Sequence, residues 1–467
     1  MAKEIKLLGV TIDDRLTFNT HIKNVCRKAI AVHQQLCRAA KVSWGLNPEV
    51  IKIIYVAVIE PIVLYAASVW APAASKLGII KQLRVLQRGI AQKMCKAYRT
   101  VSLNSALLLA GILPLDLRIR EVALLYEAKK GVAQELLGDR EMERMASALD
   151  SPHPAARVDL EIGRVMDQEQ IDASANSEIK IYTDGSKIEG RVGAAVSIWI
   201  GNTETRTLKL ALANFCTVYQ AELLAICRAT KEIRRSTAES FGIYSDSMAA
   251  LQTVKNHGCL HPLAVETRDN LKAISRQAKI VNLYWIKAHA GIEGNERADA
   301  LAKEAAINSK KKPDYDLCPV SFVKRHARMV TLDEWNHRYN TGQTASITKM
   351  FFPDAVAAYR TIRKVGMNAI RTQIMTGHGG FSEYLNRFKC KENPSCICDP
   401  NTLETVPHIL LDCPIFAQER YTIECELDTR IQKDKIGEII KGRNRIKFLE
   451  YCENLANKTI KRNKNTV

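Results

Sequence analysis

The centre of the chain predicts an α/β domain, and the regions on either side of it predict mainly helices. Segments 179–186 and 241–247 alternate apolar and polar residues as strands do, and they carry Asp184 in YTDGS and Asp246 in YSDS. Between them, residues 217–233 have apolar positions at helical spacing. Because these short polar sequences favour turns, we expect each aspartate to end its strand at a turn.

The predicted helix carries Glu222 inside its apolar stripe, which Tyr219, Leu223 and Ile226 define. Burying a carboxylate without a partner costs several kcal/mol, so a bound cation is the simplest explanation for this position. Asp299 has a similar setting, among alanines and leucines on a helix predicted to begin near residue 295. Both acids are therefore candidate metal ligands.

Four carboxylates in this order indicate metal-dependent hydrolysis of a phosphodiester. Such reactions use two hard divalent cations, roughly 3.5–4 Å apart, and Mg²⁺ prefers carboxylate oxygens. Any one of these acids alone is more typical of a turn or a solvated surface than of a metal site. The series Asp184, Glu222, Asp246 and Asp299, with His289 in WIKAHAGIEGN before the last, favours a nuclease site.

These residues resemble the type 1 ribonuclease H family, whose hallmark is TDGS, a helix glutamate, a strand-end aspartate and HxGxxGNExAD. The match covers residues 178–308. The resemblance implies a ribonuclease H-like mixed five-stranded sheet with flanking helices. Its strands are expected near 179–187, 191–200, 205–211, just before position 246, and 280–288.

Carried over by position, the resemblance implies that Asp184 bridges two Mg²⁺ ions, which Mn²⁺ can replace, while Glu222, Asp246 and Asp299 complete the coordination. It places His289 on a mobile loop, where it organises water or releases product. The family cleaves the RNA strand of RNA·DNA hybrids, which it distinguishes by the 2′-hydroxyl. An RNA·DNA hybrid is therefore the expected partner and hydrolysis of its RNA strand the expected activity.

The means of gripping nucleic acid is less evident. Segment 256–270 lacks the basic helical handle of some family members, so the grip on the hybrid must come from elsewhere. Gly291 and Gly294 suit a hinge in the loop that carries His289. The chain has 68 Lys and Arg against 50 Asp and Glu, a formal charge of +18, which suits a phosphate partner. Part of this charge lies at 441–448 and 461–467, predicted as a basic helix and tail. A merely solvated tail is the alternative.

The flanks extend the resemblance to the carboxy-terminal part of non-LTR retrotransposon polyproteins. It rests on KLLGVTIDDRLTFNTHIKNVCRKA at the start and TGHGGFSEYLNRF before a Cys/His cluster. The expected division is a reverse-transcriptase-thumb-like helical segment (1–137), a linker (138–177), the ribonuclease H domain (178–308), and a helical region with the cluster and basic tail (309–467). The rest of a reverse transcriptase is a further expected partner. Asp13 and Asp14 are interpreted as a turn, because the palm and fingers of a polymerase are missing.

The Cys/His cluster consists of Cys396, Cys398, His408 and Cys413, whose thiol and imidazole groups suit tetrahedral Zn²⁺. Reduced structural cysteines are the alternative reading, and Cys390 is a substitute ligand. The thirteen cysteines, an odd number, favour a reducing compartment over a disulfide framework.

Membrane insertion is not expected. The longest apolar stretch, 53–71, carries Glu60 and Pro61 at its centre and predicts a buried core helix. No signal peptide is evident at the start of the sequence, and the nucleus is the expected location for a retroelement protein. Two other functions stay open: a catalytically inactive nucleic-acid-binding remnant of a retroelement, and a transposase or integrase, which the TDGS and GNERAD sequences disfavour.

Overall fold

A computed structural model of the chain describes residues 3–39, 47–132, 134–147, 157, 159–173, 177–308 and 312–465. The chain divides into two compact units. One is formed by Met1–Tyr126 together with Ala327–Val467, and the other by Glu127–His326.

The strands are β1 Glu4–Leu7, β2 Val10–Asp13, β3 Ile162–Val165, β4 Ile179–Ile188, β5 Arg191–Ile200, β6 Thr203–Leu212, β7 Ser240–Ser245, β8 Ile280–Ile286, β9 Ser395–Cys396 and β10 Asp399–Leu403. The α-helices before residue 310 are α1 Asn19–Ala39, α2 Pro48–Ile54, α3 Glu60–Leu64, α4 Ala67–Trp70, α5 Leu77–Met94, α6 Leu103–Ala110, α7 Leu115–Lys130, α8 Gln134–Leu137, α9 Gln168–Ala173, α10 Val218–Arg235, α11 Met248–Lys255, α12 Pro262–Arg276 and α13 Glu293–Asn308. After it come α14 Val320–Thr341, α15 Ser346–Phe351, α16 Ala355–Thr361, α17 Ala369–Thr376, α18 Ser382–Arg387, α19 Ala417–Leu427, α20 Ile436–Lys441 and α21 Arg445–Lys464.

The central unit is built on one mixed sheet with strand order β3-β8-β7-β4-β5-β6. Strands β3, β8, β7 and β4 run parallel to one another, whereas β4, β5 and β6 form an antiparallel meander. The expected mixed sheet with flanking helices is thus confirmed. It has six strands rather than five because β3 pairs in parallel with the outer side of β8.

Strand β3 lies in the segment predicted to be a linker. The described parts of 138–177 also contain α9 and the buried side chains of Met142 and Glu143. Met142 forms a bridge with Cys318, and β3 covers the edge of β8. The polar composition of this segment concealed these contacts, and most of the SPHPAARVD sequence lies outside the described residues.

Strand β4 brings the two aspartates together through its register with β7. Tyr182 pairs with Tyr244 and Thr183 with Ser245, so Asp184 and Asp246 are the next residues on adjacent parallel strands. Asp246 ends its strand as expected. Asp184 does not, because β4 continues to Ile188 in an antiparallel ladder with β5, and the expected turn at TDGS is absent.

Helices cover both faces of the sheet. On one face, α10 crosses β4 so closely that a Cβ at Gly185 would lie 2.7 Å from the backbone nitrogen of Glu222. On the other face, α13 packs on β5, where a Cβ at Gly193 would lie 2.4 Å from the carbonyl oxygen of Ala302. These close approaches set the distance of both acid-bearing helices from the sheet.

The regions before and after the central unit share one hydrophobic core, instead of forming the two separate domains expected. Trp70 and Leu83 from the first region are buried in the same cluster as Trp335, Phe351 and Phe448 from the second. Helices of both regions contribute to this cluster, so the apolar faces of each region are buried against the other. The packed residues are more than 200 positions apart in the sequence, so local sequence patterns could not predict this contact.

The apolar stretch 53–71 is a series of short helices, with a π-helical turn at Tyr55–Ile59. Its residues Tyr55, Ile59 and Val63 are buried, and Glu60 pairs with Arg118 at 3.2 Å. No single helix of the described chain is long and apolar enough to span a membrane. The bent pair Pro48–Leu64 and Ala67–Ser75 meets that test only by length and composition, with a 49° bend.

Two other expectations are settled by local contacts. The carboxylate of Asp13 accepts hydrogen bonds from the backbone N–H groups of Arg15, Thr17 and Phe18, so Asp13 ends β2 and caps the expected turn, which begins at Asp14. Of the predicted basic tail, residues 461–464 are instead the end of α21, a packed helix. There Arg462 is bonded to the buried carboxylate of Glu404, so its charge is already neutralised.

Candidate active site

The three carboxylates of Asp184, Glu222 and Asp246 converge at the end of the parallel strands. One oxygen from each lies within 4.8 Å of the others, a spacing suited to a shared metal ion. Glu222 is 6% exposed, and its Oε2 has no hydrogen-bond partner among the described residues. Three acids packed together with an unpaired oxygen have the donor chemistry that could hold a cation.

The pKa values of the three carboxyl groups also indicate a site that would favour a bound cation. Burial, followed by the charges of Asp246 and Asp299, raises the pKa of Asp184 to about 7. Burial, followed by the charges of Asp184 and Asp246, raises the pKa of Glu222 to about 9. In both cases the N–H of Gly185 lowers the pKa, but by less. A cation would reverse these shifts, because it favours the ionised forms.

Asp299 lies beside this triad and is not one of its three converging ligands. Its Oδ2 accepts a hydrogen bond from Lys303 at 2.6 Å, one turn along α13. Its charge still raises the pKa values of Asp184 and Asp246, so it contributes to the field of the site. Of the four predicted acids, three converge and the fourth is adjacent.

His289 occupies the exposed loop between β8 and α13, with a positive φ of 53°. Its charge is near enough to lower the pKa of Asp246 against the raising effect of burial. Gly291, with φ of 74°, suits a bend in this loop. Gly294 is not part of a hinge, because it lies in α13, where an added Cβ would be 2.2 Å from the ring of Tyr182.

Several groups that support the site were not singled out from the sequence. The Asn295 side chain is buried and hydrogen-bonds the carboxylate of Asp246, and the Trp285 indole donates to the carbonyl oxygen of Asp246 at 2.9 Å. Asn295 belongs to the GNERAD sequence, so its place in that motif was a signal that could have identified it as a site residue. Trp285 carried no such signal.

A buried polar network at the start of α10 was also missed. Glu143 accepts hydrogen bonds from Gln220 at 2.9 Å and from the Tyr315 hydroxyl, and its second oxygen lies 3.1 Å from His261 Nε2. Burial would raise the pKa of Glu143, but these bonds outweigh it and lower the pKa. Because Gln220 is two residues before Glu222, this network holds the helix end that carries a candidate ligand.

The four predicted zinc ligands come together in the other unit. Cys396 ends β9, Cys398 lies in the turn before β10, and His408 and Cys413 enclose a π-helical turn. Their ligand atoms all lie within 4.8 Å, with Cys396 Sγ 3.8 Å from Cys413 Sγ and Cys398 Sγ 3.2 Å from His408 Nε2. Cys390 is exposed and outside this group.

The comparison with protein families identifies the central domain. Residues 176–307 match the RNase H family model. This part of the chain is an RNase H domain. Its boundaries contain all four predicted acids and His289, but neither Glu143 nor Tyr315 of the buried network.

Known proteins similar to the chain include both retroelement proteins and cellular enzymes. A putative 115 kDa protein in the type-1 retrotransposable element R1DM of Drosophila melanogaster is 31% identical over 133 residues, which are 28% of this chain and 13% of that protein. Human ribonuclease H1 is 25% identical over 146 residues, or 28% of this chain and 51% of the enzyme. The chain thus matches about half of the human enzyme and a much smaller part of the retroelement protein.

Among solved structures, LC11-RNase H1 in complex with an RNA/DNA hybrid is 22% identical. The match covers 27% of this chain and 96% of that one, with a TM-score of 0.23. The relatives also include Pol polyproteins of R1 elements, in agreement with the predicted resemblance to non-LTR retrotransposon proteins.

Proposed function

We propose that the RNase H domain hydrolyses the RNA strand of RNA·DNA hybrids with two Mg²⁺ ions, for which Mn²⁺ can substitute. The observation that carries this proposal is the convergence of Asp184, Glu222 and Asp246 with an unpaired carboxylate oxygen and raised pKa values. When bound, the two cations would activate the attacking water and stabilise the leaving 3′-oxygen.

Each side chain has a distinct part in this proposal. Asp184, on the central strand β4, would be a ligand of both cations, and Glu222 and Asp246 would supply further carboxylate oxygens to hold them. Asn295 keeps Asp246 oriented, while Lys303 holds Asp299 as a fourth, adjacent ligand. His289, exposed on its loop, is placed to move protons between the site and solvent or to assist product release.

The test is cleavage of a labelled RNA·DNA hybrid in Mg²⁺, beside single-stranded RNA and duplex DNA. We expect cleavage of the hybrid alone, and a loss of several orders of magnitude in the Asp184→Asn variant because a central ligand is removed. Asp269→Asn is the matched control, since Asp269 is an exposed aspartate on α12 of the same domain. Tight hybrid binding without cleavage by the wild-type chain would instead identify an inactive nucleic-acid-binding remnant.

We also propose that Cys396, Cys398, His408 and Cys413 hold one structural Zn²⁺. Burial, followed by the neighbouring thiols, raises the pKa of Cys398 to about 12, so this thiol is protonated without metal and would release its proton when zinc binds. Two of the four ligand atoms belong to the β9–β10 hairpin and two to the turn before α19, so a shared zinc ion would connect these two segments. A zinc ion here would stabilise this small region.

In the cell, we propose that the chain acts as part of a retroelement protein, with a reverse transcriptase as its partner. The similarity to R1 element proteins supports this placement. The hybrid that the RNase H domain would cut is the product of copying RNA into DNA.

A further inference from the structure

The first region of the chain carries most of its net positive charge. Residues 15–115 contain fourteen Lys or Arg against two acidic residues, Glu49 and Glu60, and so hold a formal charge of +12 out of the total of +18. Helices α1 and α5, which pack against each other, contain no acidic residue at all. A surface with this charge attracts polyanions.

One face of α5 concentrates this charge at the mouth of a cavity. Arg84, Val85 and Arg88 are exposed and line it, and Lys81 is exposed one turn earlier. Arg88 donates to the carbonyl oxygens of Arg99 and Val101 at 3.3 Å each, which holds its guanidinium in place. Neither Arg84 nor Arg88 forms an ion pair with any described carboxylate, so both charges remain available.

The cavity has a volume of about 810 Å³, within the range of roughly 300–1,000 Å³ that is usual for ligand sites. Its deeper walls are apolar, formed by the buried residues Leu83, Leu107, Leu115 and Trp335. The cavity is therefore apolar inside and cationic at its opening.

Most polar groups that line the cavity are already satisfied. Arg338 is bonded to Asp116 at 2.5 Å, and the Asn104 amide donates to Thr344. The exception is the indole N–H of Trp335, which is 2% exposed and has no acceptor among the described residues. An acceptor group that enters the cavity would meet both this donor and apolar walls.

We propose that this cavity and the Lys81–Arg88 face of α5 bind single-stranded nucleic acid. An unpaired base enters the cavity, and successive phosphates contact Arg84 and Arg88, which lie one helical turn apart. A duplex cannot use the cavity, because its bases are stacked and paired and must leave the helix to enter a pocket. This site is in a different unit from the RNase H domain and does not depend on the proposed hydrolysis.

The test measures binding without cleavage. The full chain carrying Asp184→Asn is titrated, with no added Mg²⁺, against labelled oligothymidylate, a duplex of equal length, and an abasic strand with the same phosphates. We expect the oligothymidylate to bind roughly tenfold or more tightly than the abasic strand, since the abasic strand has no base to bury against the apolar walls of the cavity. Equal affinity for the duplex or for the abasic strand would overturn the proposal.

A charge variant locates the site. The double change Arg84→Gln and Arg88→Gln should weaken oligothymidylate binding and lower the slope of log affinity against log salt by about 1.4, or about 0.7 for each lost phosphate contact. Glutamine removes the charge but keeps a polar amide at both positions. The matched control is Lys433→Gln with Lys435→Gln, which removes the same charge from exposed positions outside the cavity.

An equal loss in the control pair would mean that only overall charge matters and would refute the site. Binding of an acidic polyglutamate peptide at the affinity of oligothymidylate would also refute it, because the base would then contribute nothing. Thermal unfolding of both double variants checks that their folds are intact.

Discussion

The affinity of the RNase H site for Mg²⁺ should rise steeply with pH, because two of its carboxyl groups hold protons at neutral pH. At pH 7, Asp184, with a pKa of about 7, is half ionised, and Glu222, with a pKa of about 9, is ionised in about one molecule in a hundred. Cations bind the ionised forms. Binding at pH 7 should therefore release about 1.5 protons from these two groups.

The size of the effect follows from the same ionised fractions. Raising the pH from 7 to 9 ionises Asp184 almost fully and Glu222 by half, so both groups are ionised together about 100 times more often. We expect the apparent Mg²⁺ affinity to increase about 100-fold, and proton release to fall to about 0.5. The affinity for Mg²⁺ rises with pH, rather than falling, because burial and mutual repulsion raise both pKa values.

Isothermal titration calorimetry in two buffers of different ionisation enthalpy measures both quantities. Magnesium is removed beforehand by dialysis, since a strong chelator would also take zinc. In the Glu222→Gln variant the rise above pH 7 should flatten, because the group with the higher pKa is gone. A binding heat that is independent of buffer, or an affinity that changes less than tenfold, would refute the reasoning about buried protonated acids.

Three further outcomes are expected. Gly193→Ala should lower the melting temperature and slow hybrid cleavage, because the new methyl group would lie 2.4 Å from the backbone of α13. Such overpacking costs about 1–3 kcal/mol. Gly89→Ala, where nothing lies within 4 Å of the added carbon, should have neither effect. Glu143→Gln should destabilise the central unit by about 3 kcal/mol in urea unfolding, since it breaks a buried network; an unchanged midpoint would show that the network is dispensable. Zinc removal, or Cys413→Ser, should increase hydrogen exchange around 404–413 while hybrid cleavage in added Mg²⁺ persists, and Cys390→Ser should do neither.

Sequence patterns predicted much of the central domain, because its reactive residues stand in recognisable local sequence contexts. A glutamate inside an apolar helical stripe predicted burial, and Glu222 is indeed buried with an unpaired oxygen. The Cys/His spacing likewise predicted four groups that meet within 4.8 Å. In both cases the signal was a residue type that is costly or unusual in its immediate surroundings.

Other predictions failed where the deciding contact is remote in sequence. The TDGS sequence favours a turn by its composition, yet the ladder between β4 and β5 extends through Asp184. The basic end of the chain suggested a free tail, but Arg462 is bonded to buried Glu404, 58 residues earlier. Neither partner can be recognised from local propensity.

The sequence by itself determined the chemistry of the RNase H domain: which acids are present, in what order, and on which elements. Only the tertiary structure decided which of them converge. It brings Asp184 and Asp246 into register and Glu222 against Gly185, while Asp299 is held beside them by Lys303. It also joined the flanking regions into one core and opened a cationic cavity beside α5. The reason is that side-chain chemistry is carried by each residue, whereas proximity depends on strand register and packing between segments distant in the chain.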